Sequence, residues 1–392
     1  MEDYRETISI ENGTITAGFP STDEVKNLKV NFSVTYRRLQ SLLRTLNGDE
    51  EKLKLYNDTL TTYLQEGVIE EAKNFSHGVA TFYLPHRHVW SPSKSTKLRI
   101  VIDASSHAKG EYCLNDVIFE GHSLAPLIHE VVLQFRTHLN TMVADIQKAF
   151  LQIRLPKEHR HVTRFLWVKN PSLPLTGDNL RYFHFCRVAF GINASPAILN
   201  QSILKQIEQS QSDIASELPN SLYVDNVLLE GRTAEELLKK YTESKRLFSS
   251  IGMNLRDYLS NSVTVNKNIA ECDRAASTKI KVGMQWNAIE DTITLRCTEK
   301  QANKSFKRTV LSQINGYCYD PLGLLSPLMV PAKIFLRDLH KQKYGWDDVL
   351  SEKDQNTWRS ITSNVIGFEV NLPRMVAEKN GTSSHHNVNI RG

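Results

Sequence analysis

Residues 221 to 231 read SLYVDNVLLEG, an apolar run broken at its centre by an acid and an amide. Leu222, Tyr223 and Val224 lead in, and Val227, Leu228 and Leu229 lead out. Two strand-forming triplets separated by two residues read as antiparallel strands around a tight turn, because Asp and Asn tolerate left-handed backbone. A hairpin alone explains Asp225 and Asn226. A fixed negative charge needed at the hairpin tip explains them equally well. A second acid bears on the choice: Asp145, in TMVADIQKAF, also follows residues of strand character. An acid there is costly to bury unless it is paired or binds a cation, although a lone one usually just caps a turn. If the two strands are neighbours in one sheet, their carboxylates meet at one end of it. Two hard oxygen ligands on a rigid sheet are what Mg²⁺ takes from a protein when water and phosphate fill its remaining shell. Two such ions about 4 Å apart activate a hydroxyl and stabilise a leaving pyrophosphate. That chemistry is nucleotidyl transfer.

Bulk properties narrow the alternatives. A chain of 392 residues has room for two or three domains with real cores. No apolar run approaches the roughly 20 residues of a membrane span, and the acidic, polar start is no secretory signal. An intracellular protein without a membrane role is expected. The five cysteines are scattered, with no C-x-x-C pair, which argues against a disulfide scaffold or a cysteine zinc site. A net charge of +5 permits a nucleic-acid partner without demanding one.

Along the chain, helix-like and strand-like pieces alternate irregularly, which indicates an α+β protein. The spacing of Tyr36, Leu39, Leu42, Leu43 and Leu46 predicts a helix ended by Asn47-Gly48, and a second helix follows through Leu64, within a helical stretch from 33 to 72. TMVADI, TRFLWV and RYFHFC read as strands. SPAILNQSILKQIEQS reads as a helix with Ser195 as N-cap and Pro196 at its first position. Thr233 to Glu236 makes a capping box for a helix ending near Gly252. Two His-Arg-His triplets, at 86–88 and 159–161, lack partners at metal-site spacing and are read as surface or groove residues.

Taken in order, VADIQKAFLQIRL, RVAFGINASPAILN and LYVDNVLLEG resemble the core motifs of reverse transcriptases, most nearly those of BEL/Pao-type long-terminal-repeat retrotransposons. TKLRIVIDASS, CLNDV and VLSQINGYCYDPLGLLSPLMVPAKIFLRDL add to the likeness, which runs from roughly residue 30 to 375. The resemblance implies a polymerase-like fold of fingers, palm and thumb with an antiparallel palm sheet. It divides the chain into a helical lead-in (1–74), fingers and palm (75–232), a thumb- or connection-like region (233–375) and a polar, disordered tail (376–392). By the same resemblance Asp145 and Asp225 bind metal, Mg²⁺ or Mn²⁺. Phe150 is the steric gate against a ribose 2′-OH, and Arg99 pairs with the triphosphate. Phe190 and Gly191 begin the loop beneath the nucleotide. Without the resemblance, both phenylalanines read simply as core aromatics.

The implied activity is RNA-directed DNA synthesis, with an RNA template, an RNA–DNA hybrid and deoxynucleoside triphosphates as partners. The family hairpin, however, carries a second Asp where this chain has Asn226. A neutral amide cannot balance a divalent charge, so impaired catalysis is expected. The alternative is an inactive polymerase-fold remnant that only binds nucleic acid or a protein. No Asp-Thr/Ser-Gly peptidase motif occurs, since Asp291-Thr-Ile lacks the glycine. Ribonuclease H and integrase parts are not seen, and the chain is expected to stop where a ribonuclease H domain begins. The basic stretch Lys300 to Arg308 is the candidate for phosphate contact, with a solvated charged face as the alternative.

Overall fold

The computed structural model describes residues 5–72, 80–91, 97–121, 126–282, 284–298, 306–317 and 319–376. It opens on a hairpin, β1 (Ile8–Glu11) and β2 (Thr14–Ala17), turned at Asn12-Gly13 with both residues in left-handed backbone. An Asn-Gly turn of this kind matches the twist of the strands it joins. Helix α1 (Phe32–Leu46) buries Leu39, Leu42, Leu43 and Leu46 along one stripe. Helix α2 (Glu50–Gln65) starts where the Asp49 carboxylate accepts from the Lys52 amide at 3.1 Å. The helical stretch expected to reach 72 stops here, because Ile69–Glu71 is a strand, β3.

Beyond it come β4 (His86–Trp90), β5 (Leu98–Ile102), α3 (Ile128–Phe135) and β6 (Asn140–Ile146). Then follow β7 (Arg164–Val168), β8 (Leu180–Phe185), α4 (Ser195–Gln209), β9 (Leu222–Tyr223) and β10 (Asn226–Gly231). Thr233 caps helix α5 (Ala234–Ser249) as expected, its Oγ1 accepting from the Glu236 amide at 3.2 Å, but the Glu236 carboxylate accepts from the amide of Arg232, one residue before the cap, at 2.8 Å. The remaining elements are β11 (Leu255–Ser260), β12 (Lys279–Val282), β13 (Met284–Asn287), β14 (Thr292–Arg296), α6 (Lys307–Tyr317), α7 (Ser326–Lys341), α8 (Glu352–Ser363) and β15 (Glu369–Pro373).

Two compact units form, each from separated segments. The first draws on the chain before Pro126, on Ile146–Pro219 and on Glu243–Leu255. It holds the β1–β2 and β4–β5 hairpins and an antiparallel sheet ordered β3-β8-β7. Its core is aromatic: Tyr56 stacks on Trp167 at 4.9 Å between centroids, and Phe165 lies against Phe183 and Phe185. His86 belongs to this core, which corrects its reading as a surface residue. It is buried, meets the Tyr56 hydroxyl through Nδ1 and the Leu166 carbonyl through Nε2 at 2.8 Å, and burial pushes its pKa down to about 4. His159 is also engaged, accepting from the Phe19 amide at 2.8 Å.

The second unit draws on Pro126–Asp145, Asn220–Thr242 and the chain from Arg256 on. One sheet runs β11-β6-β10-β9, and another runs β12-β13-β14-β15, antiparallel in its registered pairs. A single core joins them, built from Val143, Leu228 and Leu259 of the first sheet, Trp286, Ile293 and Leu295 of the second, and Phe335 and Trp358 of the helices. Arg374, one residue beyond β15, is wholly buried. Its guanidinium pairs with Asp291 at 2.6 and 3.0 Å, and donates to the carbonyls of Phe135, His138 (2.8 Å) and Leu139 (3.2 Å) where α3 gives way to β6. Cys297 is disulfide-bonded whereas Cys113, Cys186 and Cys272 are free, a pairing of which the cysteine spacing gives no sign. The polar tail expected at 376–392 lies, but for Val376, outside the described residues.

Candidate active site

Strand β6 is buried at Met142, Val143 and Ala144, and its apolar neighbours on β10 are Val227, Leu228 and Leu229. The antiparallel register sets Ala144 opposite Val227 and Asp145 opposite Asn226. On the other side of β10, Asn226 pairs with Tyr223 and Val227 with Leu222. Val224 and Asp225 therefore form the two-residue turn, one residue earlier than the Asp225–Asn226 turn expected from the sequence, and Asn226 opens β10. Asp145 and the Asp225–Asn226 pair stand at the same end of one antiparallel sheet, and all three residues are half-buried. The Asn226 amide nitrogen donates to the Asp225 carboxylate at 2.9 Å. The turn is not relaxed: Val224 sits at φ +58°, in left-handed backbone that a β-branched residue rarely adopts.

The donor set suits a hard divalent cation. Two carboxylates project from strand ends, with amide oxygen as the third candidate ligand and no thiol or imidazole in the hairpin. The amide adds no charge, and its nitrogen already engages Asp225.

The residues expected around the nucleotide lie in the first unit. Phe150 is buried in a 3-10 turn, Ala149–Gln152, that follows β6. Its ring meets Phe190 at 5.2 Å between centroids, edge to face, while Phe190 itself is 57% exposed. Gly191 has φ +110°, and a Cβ there would stand 2.4 Å from the Ile102 carbonyl oxygen, so only glycine fits. Arg99 is exposed on β5, paired across the hairpin with Val89. The end of β5 and the loop after Phe190 are thus in contact, and Asn115 clamps them. Its Oδ1 accepts from the Asn193 amide at 3.0 Å, its carbonyl accepts from Asn193 Nδ2 at 3.1 Å, and its Nδ2 donates to Ser105 Oγ at 2.9 Å. Asn115 sits in the CLNDV block, but a lone Asn carries no periodicity from which that clamp could be read. Ser195 is not the N-cap it was expected to be. The helix starts at Ser195 after Ala194, and the Ser195 hydroxyl donates back to the Ala189 carbonyl at 2.8 Å, tying the loop rather than the helix.

The basic stretch fares differently. Lys304 lies outside the described residues. Lys307 is buried, donates to the Tyr344 carbonyl at 2.8 Å and stands 4.7 Å over the Trp346 ring. Arg308 holds Asp347 through two bonds, at 2.9 and 3.0 Å. Lys307 is a structural cation here, neither a solvated face nor an open phosphate contact.

Residues 109–260 match the family model for reverse transcriptase (RNA-dependent DNA polymerase), and residues 306–390 match that of a Pao retrotransposon-like RNaseH-like domain. No curated protein matches the chain. The second match corrects the expectation that no ribonuclease-H-related part is present, although its described portion consists of α6, α7, α8 and β15. The first match spans Asp145, Phe150, Phe190, Gly191, Asp225 and Asn226, with Arg99 just upstream of it. Together the two matches support a reverse transcriptase region of a Pao/BEL-type retrotransposon.

Proposed function

We propose that Asp145 and Asp225 hold the divalent ions of nucleotidyl transfer, Mg²⁺ or Mn²⁺, and that Asn226 weakens this site. The observation that carries the reading is the register of Asn226 against Asp145, with Asp225 next to it at one sheet end. When bound, the ions supply activation of a primer 3′-hydroxyl and charge neutralisation of the departing pyrophosphate. Asp145 and Asp225 provide the negative charge that keeps them there. Arg99 offers a guanidinium fork for the triphosphate of the incoming nucleotide, a geometry that suits phosphate better than an ammonium does. Phe150, wedged by Phe190, presents a ring that leaves no room for a ribose 2′-OH. The glycine at 191 lets the loop beneath the nucleotide press against β5. In this reading the sheet bearing Asp145 and Asp225 is the palm, the aromatic unit supplies the fingers, and the chain from 233 up to the RNaseH-like match at 306 acts as thumb and connection. The template is RNA, the product an RNA–DNA hybrid, and the place of action intracellular.

Loss of one carboxylate from such a site removes several kcal/mol of transition-state stabilisation, on the order of a thousandfold in rate. Asn226→Asp is therefore expected to raise primer extension on poly(rA)/oligo(dT) by two or more orders of magnitude, and Asp145→Ala in that background to abolish the gain. A second readout needs no turnover. Without divalent ions the new acid repels Asp145 and Asp225, so Asn226→Asp melts lower than the parent, and Mg²⁺ raises its Tm more than the parent's. A folded Asn226→Asp protein that binds hybrid, shows no added response to Mg²⁺ and extends nothing would overturn the metal-site reading.

A further inference from the structure

Among the described residues, two groups bring a histidine, a cysteine and a carboxylate together, with one donor atom of each within 4.8 Å of the others. Glu70, His184 and Cys186 make the first. There the carboxylate is already engaged: Glu70 accepts from Arg160 at 2.9 Å and meets His184 Nε2 at 2.7 Å. A guanidinium so close repels a further cation. The second group, His107, Cys113 and Asp116, has no such occupant. Asp116 pairs with no lysine or arginine among the described residues, and its carboxylate accepts instead from the Cys113 amide at 2.8 Å.

One loop builds this second group. The Ala108 carbonyl accepts from the Glu111 amide at 3.1 Å, and Gly110, at φ +80°, turns the backbone between His107 and Cys113. Cys113 and Asp116 then share a reciprocal cap, in which the sulfur accepts from the Asp116 amide and the carboxylate from the Cys113 amide. Sulfur and carboxylate are thereby fixed side by side. His107 is set from behind. Its Nδ1 lies 2.9 Å from the Ser105 carbonyl, which can only accept, so the ring proton sits on Nδ1 and Nε2 keeps a bare lone pair. Metal-binding histidines are held in this way, with one nitrogen on the ion and the other donating to a carbonyl. His107 and Asp116 are exposed and Cys113 is buried, so an ion arriving from solvent meets the sulfur last.

We propose that His107, Cys113 and Asp116 bind a zinc ion. Nitrogen, sulfur and oxygen donors together select Zn²⁺ over Mg²⁺, which takes oxygen alone. Donors about 2.0–2.3 Å from one ion stand roughly 3.5 Å apart, so the two exposed side chains close on it by small rotations. As the sulfur–metal bond forms, the thiol proton leaves to water, and a water molecule takes the fourth position. The ion staples the loop on either side of Asn115, the residue that clamps Asn193. A site with a single sulfur leaves no cysteine pair in the sequence to betray it. It differs in donors and residues from the site at Asp145 and Asp225, and does not depend on the polymerase reading.

The test uses the full chain, stripped of metal with a chelator and titrated with Co²⁺. A sulfur-to-cobalt charge-transfer band should appear and saturate at one ion per chain, and Zn²⁺ should erase it by displacement. Oxygen ligands such as Asp145 and Asp225 cannot produce that band. Cys113→Ser should abolish it and leave the metal-free Tm unchanged, since serine is a good N-cap. His107→Gln and Asp116→Asn should each raise the Co²⁺ needed for saturation at least about tenfold. Zn²⁺ should also slow hydrogen exchange in the peptide covering 105–118 of the parent, and not in Cys113→Ser. No band, or one that survives Cys113→Ser and disappears in Cys186→Ser or Cys272→Ser, overturns the proposal. If Cys113→Ser does not fold, His107→Gln decides in its place, because it alters an exposed side chain; undiminished binding there overturns the proposal too. Failure of Asn226→Asp to extend a primer touches none of these outcomes.

Discussion

At the scale of single residues, His86 shows how far a side chain's surroundings can override its type. Its ring is wedged between Tyr56 and Phe165, and both nitrogens are engaged. The Leu166 carbonyl accepts from Nε2, so Nδ1 is left to accept from the Tyr56 hydroxyl, and the ring is neutral. With a folded pKa of about 4 against an ordinary 6.5, the unfolded chain binds a proton that the folded one refuses. Stability is then full above pH 6.5 and is lost as the pH falls toward 4, by on the order of 3 kcal/mol. His159 and His184 are also lowered by burial and act in the same direction. Urea unfolding from pH 7 to 4.5 should show this fall, and His86→Gln should flatten it while lowering stability at pH 7. Asp145 and Asp225 were legible in the sequence because each interrupts an apolar run, a purely local sign. Nothing local marks His86, since a His-Arg-His triplet looks alike on a surface and in a core.

Among the elements, β6 is the one on which the proposed site depends, and Arg374 governs its start. The guanidinium spans the end of α3, the loop before β6 and Asp291, with that carboxylate also accepting from Trp286 Nε1 at 3.0 Å and Asn261 Nδ2 at 3.1 Å. Breaking a buried pair from one side leaves an uncompensated charge, so Arg374→Met should destabilise the protein by about 3–5 kcal/mol in urea unfolding. Arg374→Lys should recover little of that, because a point charge cannot serve several carbonyls and a carboxylate at once. A Lys variant as stable as the parent would show that charge alone matters here. The strand pattern of β6 and β10, the capping box of α5 and the stripe of α1 were all readable from periodicity and caps. Their register was not, because pairing across roughly 80 residues leaves no local trace; Arg374, more than 200 residues from its carbonyls, is the extreme case.

For the molecule as a whole, the family implies nucleic-acid and nucleotide partners, while no helix among the described residues is long and apolar enough to cross a membrane. Hybrid binding should weaken steeply with salt, since phosphate contacts release counterions. Arg308→Ala should leave that slope unchanged, because its guanidinium is occupied by Asp347, and Lys307→Ala should lower stability rather than affinity. A slope reduced by about one in Arg308→Ala would mean that Arg308 leaves Asp347 for a phosphate. The α+β class was readable from the irregular alternation of elements, but the interleaving of the two units was not, since chain order carries no sign of it. The burial of Arg374 beneath α3 also sets a timetable for the newborn protein. The strand carrying Asp145 leaves the ribosome early, yet its foundation is complete only when a residue roughly 230 positions later has been translated, some 10–50 s afterwards at about 5–20 residues per second. Until β10 and β11 have been made β6 is an apolar strand with exposed edges, and until Arg374 follows its start lacks support, a natural hold for chaperones and a hazard for its neighbours on a crowded polysome.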